Sequence, residues 1–506
     1  MRAWIATLIL AGIPACSPVS ADPKADPKAG AKQAQPGPPP GEIVTADILK
    51  MNGDNFGRPA AKFRPGSVEP IHAPASKRTA TGFQVQFPSR GTITTPTVYD
   101  HKVLVSGGFQ GKQLFAYEAG TGKPLWGIDL HDDGPSSPAC EDSVCVINTE
   151  SCTIFAIEAR TGKQLWSYWL GDPLTSAPTI ASGRVFASYP QTATSGKERP
   201  PSANHALAAF DLKTGKVLWQ LWLDSDVMSA PVAVGEFVYV TTFQGTMIKL
   251  EQATGKVRYA MKAKATSAPV VQFGADGVEQ LYYTKRSAAK PGAAPTEAVI
   301  RADHNEPQTK WEGAEKPADY IDKKAQATTP YASTSKSQDA HNGFSGGAPA
   351  AAAPQAAMDS VGVGSVSSMQ GFQGSRVVHL ADRNVNTMGD EVVATDNETG
   401  SVLWKYKLSG DTRRQGGFLG TAPLAAGGHV LLGTLQGDIV RIDPKSGKST
   451  ATYAVGSPIR SQPVVADGWI YVGTEDGKLV AIDTKDATIT GWPTWGGNAQ
   501  RTGIAH

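Results

Sequence analysis

The sequence predicts an all-β fold, an eight-bladed β-propeller whose blades are four-stranded antiparallel sheets. Three observations predict it. The first is a hairpin that recurs. Residues 205–223, HALAAFDLKTGKVLWQLWL, read as two strands and a turn. Leu207, Ala209 and Phe210 belong to the first strand, Asp211, Lys213, Thr214 and Gly215 to the turn, and Val217, Leu218, Trp219 and Leu221 to the second. Short apolar runs split by an Asp-x-x-Thr-Gly cluster are a hairpin signal, and Gly215 takes a positive φ without steric cost. The motif returns as EAGTGKPLW (118–126), EARTGKQLW (158–166), EQATGKVRY (251–259) and DNETGSVLW (396–404), with a weaker copy, DPKSGK, at 443–448.

The second observation is the period. Trp126 to Trp166 is 40 residues, and Trp219 to Tyr259 is again 40. Trp166 to Trp219 is 53, or 40 with 13 inserted; Tyr259 to Trp311 is 52, or 40 with 12; Trp311 to Trp404 is 93, or 40 with 53. A seventh copy, 417–456, places Ala451 at the Trp position, and an eighth runs 457–490. The third observation is a strand–turn–strand piece ahead of each hairpin: SAPTIASGRVFAS (176–188), SAPVAVGEFVYV (229–240), SAPVVQFGADGVEQLYY (267–283), TAPLAAGGHVLLG (421–433) and SQPVVADGWIYVG (461–473). Pro heads strand A, where no ladder hydrogen bond is needed. Four strands, A to D, in about 40 residues make a propeller blade. Residues 312–366 show no hairpin signal and read as a flexible insert, with a short Ala-rich helical turn at 351–358, which keeps the count at eight rather than nine.

Taken in order, residues 1–21 read as an export signal, with Arg2 as its positive start and 3–13 as its apolar core. Two processing readings stand. In one, Ile13-Pro14-Ala15-Cys16 is a lipoprotein box and Cys16 the site of lipid attachment; in the other, cleavage follows Ala21 and Asp22 begins the mature chain. Residues 22–80 read as a Pro/Ala-rich tether and irregular lead-in. The propeller takes 81–503. Residues 82–87, alternately apolar and polar, are a candidate for the outer strand of blade eight, covering an edge that otherwise invites aggregation; residues 490–495 are the rival. In blade two, a two-residue turn at Asp142-Ser143 sets Cys140 opposite Cys145, with Cβ atoms about 4.5–5.5 Å apart. They form either a disulfide, at a spacing slightly wide for one, or two buried thiols acting as small apolar groups. Cys152 aligns with a turn Gly, exposed and unpaired. The 506 residues carry a net charge of +2. There is no basic block or basic helix, so nucleic acid is not an expected partner. No internal apolar run reaches about 18 residues, so no membrane span is expected after the N-terminus.

Trp126, Trp166, Trp219, Tyr259, Trp311 and Trp404 recur once per blade, which assigns them to packing between blades rather than to chemistry. The pattern Ala-x-Asp-x-x-Thr-Gly-Lys-x-x-Trp from Ala209 to Trp219 resembles the tryptophan-docking motif of the quinoprotein (PQQ-type) propeller superfamily. The segment GWPTWGGNAQRTG (491–503) is similar to one found in many such repeat proteins. The resemblance covers about 82–503 apart from the inserts. In the enzymes of that superfamily it implies an adjacent Cys pair over the cofactor, a Ca²⁺ held by Glu, Asn and Asp, and an Asp base. This chain has no adjacent Cys pair and no C-x-x-C-H haem motif, and its nine His lack zinc-like spacing. The resemblance therefore points to non-catalytic members, the BamB-type envelope lipoproteins. It implies no catalytic, cofactor-binding or metal residues and no cofactor. It implies a periplasmic or outer-membrane-anchored monomer, held to the membrane through lipidated Cys16 and bound to envelope proteins. Two alternatives are a quinoprotein-like oxidoreductase using PQQ and calcium, and a ligand-sensing propeller.

Strands alternate direction within a blade, so B–C loops and D-to-A links emerge on one face. The inserts at 190–204 and 286–297, and a longer loop at 381–390, read as B–C loops; the insert 312–366 is a D-to-A link. Long loops on a rigid scaffold are where binding usually resides, so this face is expected to engage a partner.

Overall fold

Short runs of β-branched and aromatic residues, each ended by a tight turn, build eight antiparallel sheets of four or five strands arranged as an eight-bladed propeller. The structure, a computed structural model, describes residues 42–43, 66–108, 111–149, 153–170, 176–190, 203, 205–225, 227, 229–242, 244–263, 265–274, 277–287, 296–304, 308–317, 376–412 and 418–505. At 42–43, 190, 286–287, 296–297, 304 and 308–317 it describes the backbone alone. The chain divides into Met1–Gly37 and Pro38–His506, and all described residues belong to the second unit. Among them no helix occurs.

Blade three shows the repeating unit: A is Thr179–Ala181, B Arg184–Pro190, C His205–Asp211 and D Val217–Leu223. The A strands line the centre. Thr179–Ala181 touches Ala139–Glu141 of blade two and Val232–Val234 of blade four, and Val464–Ala466 of blade eight touches Thr97–Tyr99 of blade one, which shuts the ring.

Three local devices repeat. In blades one, two, three, seven and eight, A and B are joined by two-residue turns with positive φ at both positions, as at Asp142 (49°) and Ser143 (67°) or Asp100 (48°) and His101 (57°), the twist that suits a hairpin. The hydroxyl at the head of A closes onto the end of B: Ser136 Oγ accepts from the Asn148 N–H at 3.2 Å, and Thr421 Oγ1 from that of Gly433 at 3.0 Å. A bulge interrupts the C–D ladder one residue before the docking position in blades one to seven, while the ladder of blade eight runs without one. Phe210 pairs with Val217 and Ala209 with Trp219, leaving Leu218 unpaired and exposed. Leu125, Leu165 and Leu403 occupy the same exposed slot. The extra residue breaks the alternation and turns the Trp onto the next blade.

Blade eight is completed by Gly82–Gln86, paired with Lys478–Asp483. Residues 490–495 take another path, with Trp492 bridging Val465. Three readings need correction. Part of the lead-in is not irregular: Glu69–Ile71 is a fifth strand on blade one, Lys77–Arg78 on blade eight, and Glu42–Ile43 on blade four. Such strands need only backbone groups to pair with an edge, so no side-chain pattern announces them. Residues 381–390 are not a B–C loop. Strand B of blade six, Arg383–Met388, runs through them; its Asn384, Asn386 and Thr387 are buried, and buried polar side chains read as loop. Strand D of blade five, Gln308–Pro317, takes in the first residues assigned to the 312–366 insert; the helical turn expected at 351–358 lies outside the described residues.

Candidate functional site

The docking side chains join six of the eight blades to the next: blades one, two, three, four, six and eight. The Trp166 indole N–H donates to Leu212 O at 2.8 Å, and its ring lies on Gly215 so closely that an added Cβ would meet it at 2.6 Å. Trp126 donates to Ala159 O at 3.2 Å and covers Gly162, Trp219 donates to Gln252 O at 2.9 Å and covers Gly255, and Trp404 donates to Pro444 O at 2.6 Å and covers Gly447. Phe83, on the strand that closes blade eight, covers Gly122 in the same way. The Trp311 side chain lies outside the described residues.

Tyr259 departs from the pattern for a reason. Blade five has no Thr-Gly turn to receive it. Its hydroxyl donates instead to Glu279 Oε1 at 2.9 Å, and Glu279 pairs with Lys249, whose ammonium stands 4.0 Å from the centre of the Phe237 ring. Lys249 and Glu279 are buried. Burial, and then the Glu279 charge, hold the Tyr259 phenol well above its ordinary pKa, so it remains a neutral donor.

The central channel is filled by the chain itself. Residues 491–505 cross it and accept backbone hydrogen bonds from several A strands: Val98 N–H to Pro493 O at 2.7 Å, Ile180 to Ala499 at 3.1 Å, Ala233 to Gln500 at 3.0 Å, His379 to Gly503 at 3.1 Å and Val465 to Trp492 at 2.8 Å. Arg501 is wholly buried and donates to the carbonyls of Pro178 (3.0 Å), Ser137 (3.1 Å) and Trp495 (3.4 Å). Burial pushes its pKa down to about 9, and the three carbonyls take the place of a carboxylate. The Gln462 amide donates to Pro423 O at 2.7 Å and accepts from Trp492 Nε1 and the Gly496 N–H, both at 3.1 Å.

Between this tail and the A–B turns of blades one and two lies a cleft of about 330 Å³. Cys140 lines it and is disulfide-bonded to Cys145, its direct partner in the ladder, with Cα atoms 4.1 Å apart. Cys16 and Cys152 lie outside the described residues. Glu141 Oε1 accepts from the Gly183 N–H at 2.7 Å, and the Tyr99 hydroxyl accepts from the Ser143 N–H at 2.9 Å. Among the described residues, no three His, Cys, Asp or Glu side chains gather as metal ligands would.

On the opposite face, the B–C hairpins are unequal. Strand B has five residues in blades one, two, four, seven and eight, but seven in blade three and nine in blade five. Two and four further residues raise those hairpins by about 7 and 14 Å at 3.4 Å per residue.

Sequence reasoning passed over Arg501, Gln462 and Phe83. Gln462 had a readable signal, since it stands where other copies of the Ser-Ala-Pro head have Ala. Arg501 had none, because a lone Arg in a Gly-rich segment does not announce burial.

The sequence profile of the family described as outer membrane protein assembly factor BamB matches residues 110–220, 194–294 and 388–500. The solved structure of BamB from Moraxella catarrhalis is similar with a TM-score of 0.51 at 14% identity, over 82% of this chain and 97% of that one. The computationally designed protein Ika8 aligns with a TM-score of 0.49 at 14% identity, over 79% of this chain and 98% of that one. A quinohemoprotein alcohol dehydrogenase from Pseudomonas putida HK5 aligns at 0.48 and 11% identity, over 89% and 84%. No curated relative matches the sequence. At these identities the BamB likeness shows the fold.

Proposed function

This chain belongs to the PQQ-type repeat family described as outer membrane protein assembly factor BamB, and from that premise we propose that it is a non-enzymatic protein-binding scaffold of the bacterial cell envelope. The observation that carries the reading is where the chain departs from its own repeat. The lengthened hairpins of blades three and five share one face, while the Thr-Gly face keeps short turns. A rigid ring with uneven loops on one side suits recognition of a partner surface. The scaffold is exported and held at the membrane through Cys16.

The residues do not fit a quinone cofactor with calcium. The bridged cysteines are five positions apart on a hairpin rather than adjacent, and residues 491–505, with Trp495 and Arg501 buried, are bonded to the A strands that line the centre.

Crosslinking in the native envelope, compared between the full chain and a variant lacking 318–360, tests the proposal. The expected result is a defined set of envelope proteins captured by the full chain and reduced in the variant. An unchanged set in a folded variant removes that loop from the proposal. Absorbance of bound PQQ after adding PQQ with Ca²⁺, together with alcohol-dependent dye reduction, would establish an enzyme instead. Mass spectrometry of the mature N-terminus decides between lipidated Cys16 and cleavage after Ala21.

A further inference from the structure

We propose that the cleft between the C-terminal tail and blades one and two binds an alkyl cation, an ammonium or guanidinium carried on an apolar stem. The inference stands apart from the scaffold reading, since the cleft opens beside the A–B turns and not on the long-loop face.

The first observation is the chemistry of the walls. Val98, Pro493, Ala499 and the buried Cys140 supply apolar surface, and the exposed Asp142 and half-buried Glu141 supply two carboxylates. Among the described residues, no Lys, Arg or His lines the cleft. Glu141 Oε1 is engaged by the Gly183 N–H, but Oε2 meets the Gln500 amide at 3.5 Å, the outer limit of a hydrogen bond. Lys213 of blade three reaches Asp142 at 3.6 Å, with both side chains largely exposed, a pair weak enough for a ligand to displace. An apolar stem with a charged head buries the one and pairs the other, and a cleft of this size is at the small end of ligand pockets.

The second observation is the disulfide. Four other A–B turns, Asp100–His101, Ser182–Gly183, Gly427–Gly428 and Asp467–Gly468, have the same positive φ at both positions, and no disulfide closes them among the described residues. The turn therefore forms without a bridge. A link across so short a loop also constrains the unfolded chain least. Its effect is local: it fixes the turn that carries Glu141 and Asp142, the two residues that follow Cys140, where Glu141 meets Gln500 of the tail. Of these turns, the stapled one carries both carboxylates of the cleft.

The cation has two sources, a free diamine or a basic side chain of a partner, and the test separates them. The full chain is titrated with agmatine, putrescine and acetyl-Gly-Arg-Gly-amide, with glutarate and butanol as anionic and neutral controls, while the amide NMR signals of Glu141, Asp142 and Gln500 are followed. The cations are expected to shift these signals and the controls to leave them in place. Glu141→Gln with Asp142→Asn should weaken binding by about tenfold or more, the loss of a charge-assisted contact. Cys140→Ser with Cys145→Ser should weaken it with little change in melting temperature. Tighter binding of the peptide than of agmatine identifies a partner side chain, and equal binding identifies a free amine; both support the site. Absent shifts with every cation, equal shifts with glutarate or butanol, or unchanged affinity in the carboxamide variant overturn it.

Discussion

At the scale of single residues, the repeating contact is a glycine under an indole. Gly215 has φ +70°, and a Cβ there would stand 2.6 Å from the Trp166 ring; Gly183 has the same φ, with nothing within 4 Å of its Cβ position. Both lose the permissive backbone on substitution, but Gly215 also loses the blade contact. Gly183→Ala should cost about 1 kcal/mol, whereas Gly215→Ala, having to displace a packed indole, should approach the roughly 3–5 kcal/mol of Trp→Ala in a core. Urea unfolding of the two variants checks the gap. The turn carboxylates make a second prediction. The Thr214 hydroxyl (2.7 Å), and then its N–H (2.8 Å), donate to Asp211 and hold its pKa below the usual carboxylate value. Asp443 and Glu158 are lowered chiefly by the Ser446 and Thr161 hydroxyls, and Asp396 by the Thr399 N–H and then its hydroxyl. A carboxylate with a depressed folded pKa contributes stability above its unfolded pKa, about 3.9 for Asp, and loses it as pH falls through the folded value. Melting temperature should therefore hold from neutrality to about pH 5 and drop below about pH 4. Asp211→Asn should melt lower at neutral pH and lose less on acidification, as circular dichroism would record.

At the scale of elements, the blade four–blade five seam is the informative exception. The repeat lacks a Thr-Gly turn in blade five (HNEPQTKW, 304–311) and, one blade earlier, has Tyr259 instead of Trp. The structure shows these to be one event: with no glycine to cover, the docking residue becomes a phenol that reaches Glu279, and Lys249 balances the charge. Removing one member strands the other in the core. Glu279→Leu alone should cost about 3–5 kcal/mol, while the double variant Lys249→Met/Glu279→Leu should recover most of it, because a buried ion pair is often replaceable by well-packed apolar groups. A double variant as unstable as the single one would refute this account of the seam. The two departures were visible in the sequence, but their link was not, because Glu279 lies on strand B of the next blade and no spacing rule ties it to Tyr259. The hairpins themselves were legible for the opposite reason: their signals are local, an Asp-x-x-Thr-Gly turn between β-forming runs.

At the scale of the whole molecule, closure comes from both ends of the propeller segment. Gly82–Gln86 completes blade eight, and residues 491–505 bond to A strands of blades one, three, four, six and eight. Arg501 is the centre of the second device. Arg501→Ala leaves carbonyls of blades two and three without their charged donor, each such bond being worth about 1.5–3 kcal/mol. The variant should show a lower denaturation midpoint with the transition still single, since the tail bonds to most of the ring. A fluorescence transition that splits in two would show that the tail does not couple the blades.

The sequence by itself determined the blade, its period and the identity of the docking positions, because each rests on residues close together in the chain. Tertiary structure alone decided which terminal segment closes the ring, what fills the channel, and which turn stands beside a cleft. Those outcomes depend on contacts between residues such as Ser137 and Arg501, 364 positions apart, and a repeat pattern carries no information about partners at that distance.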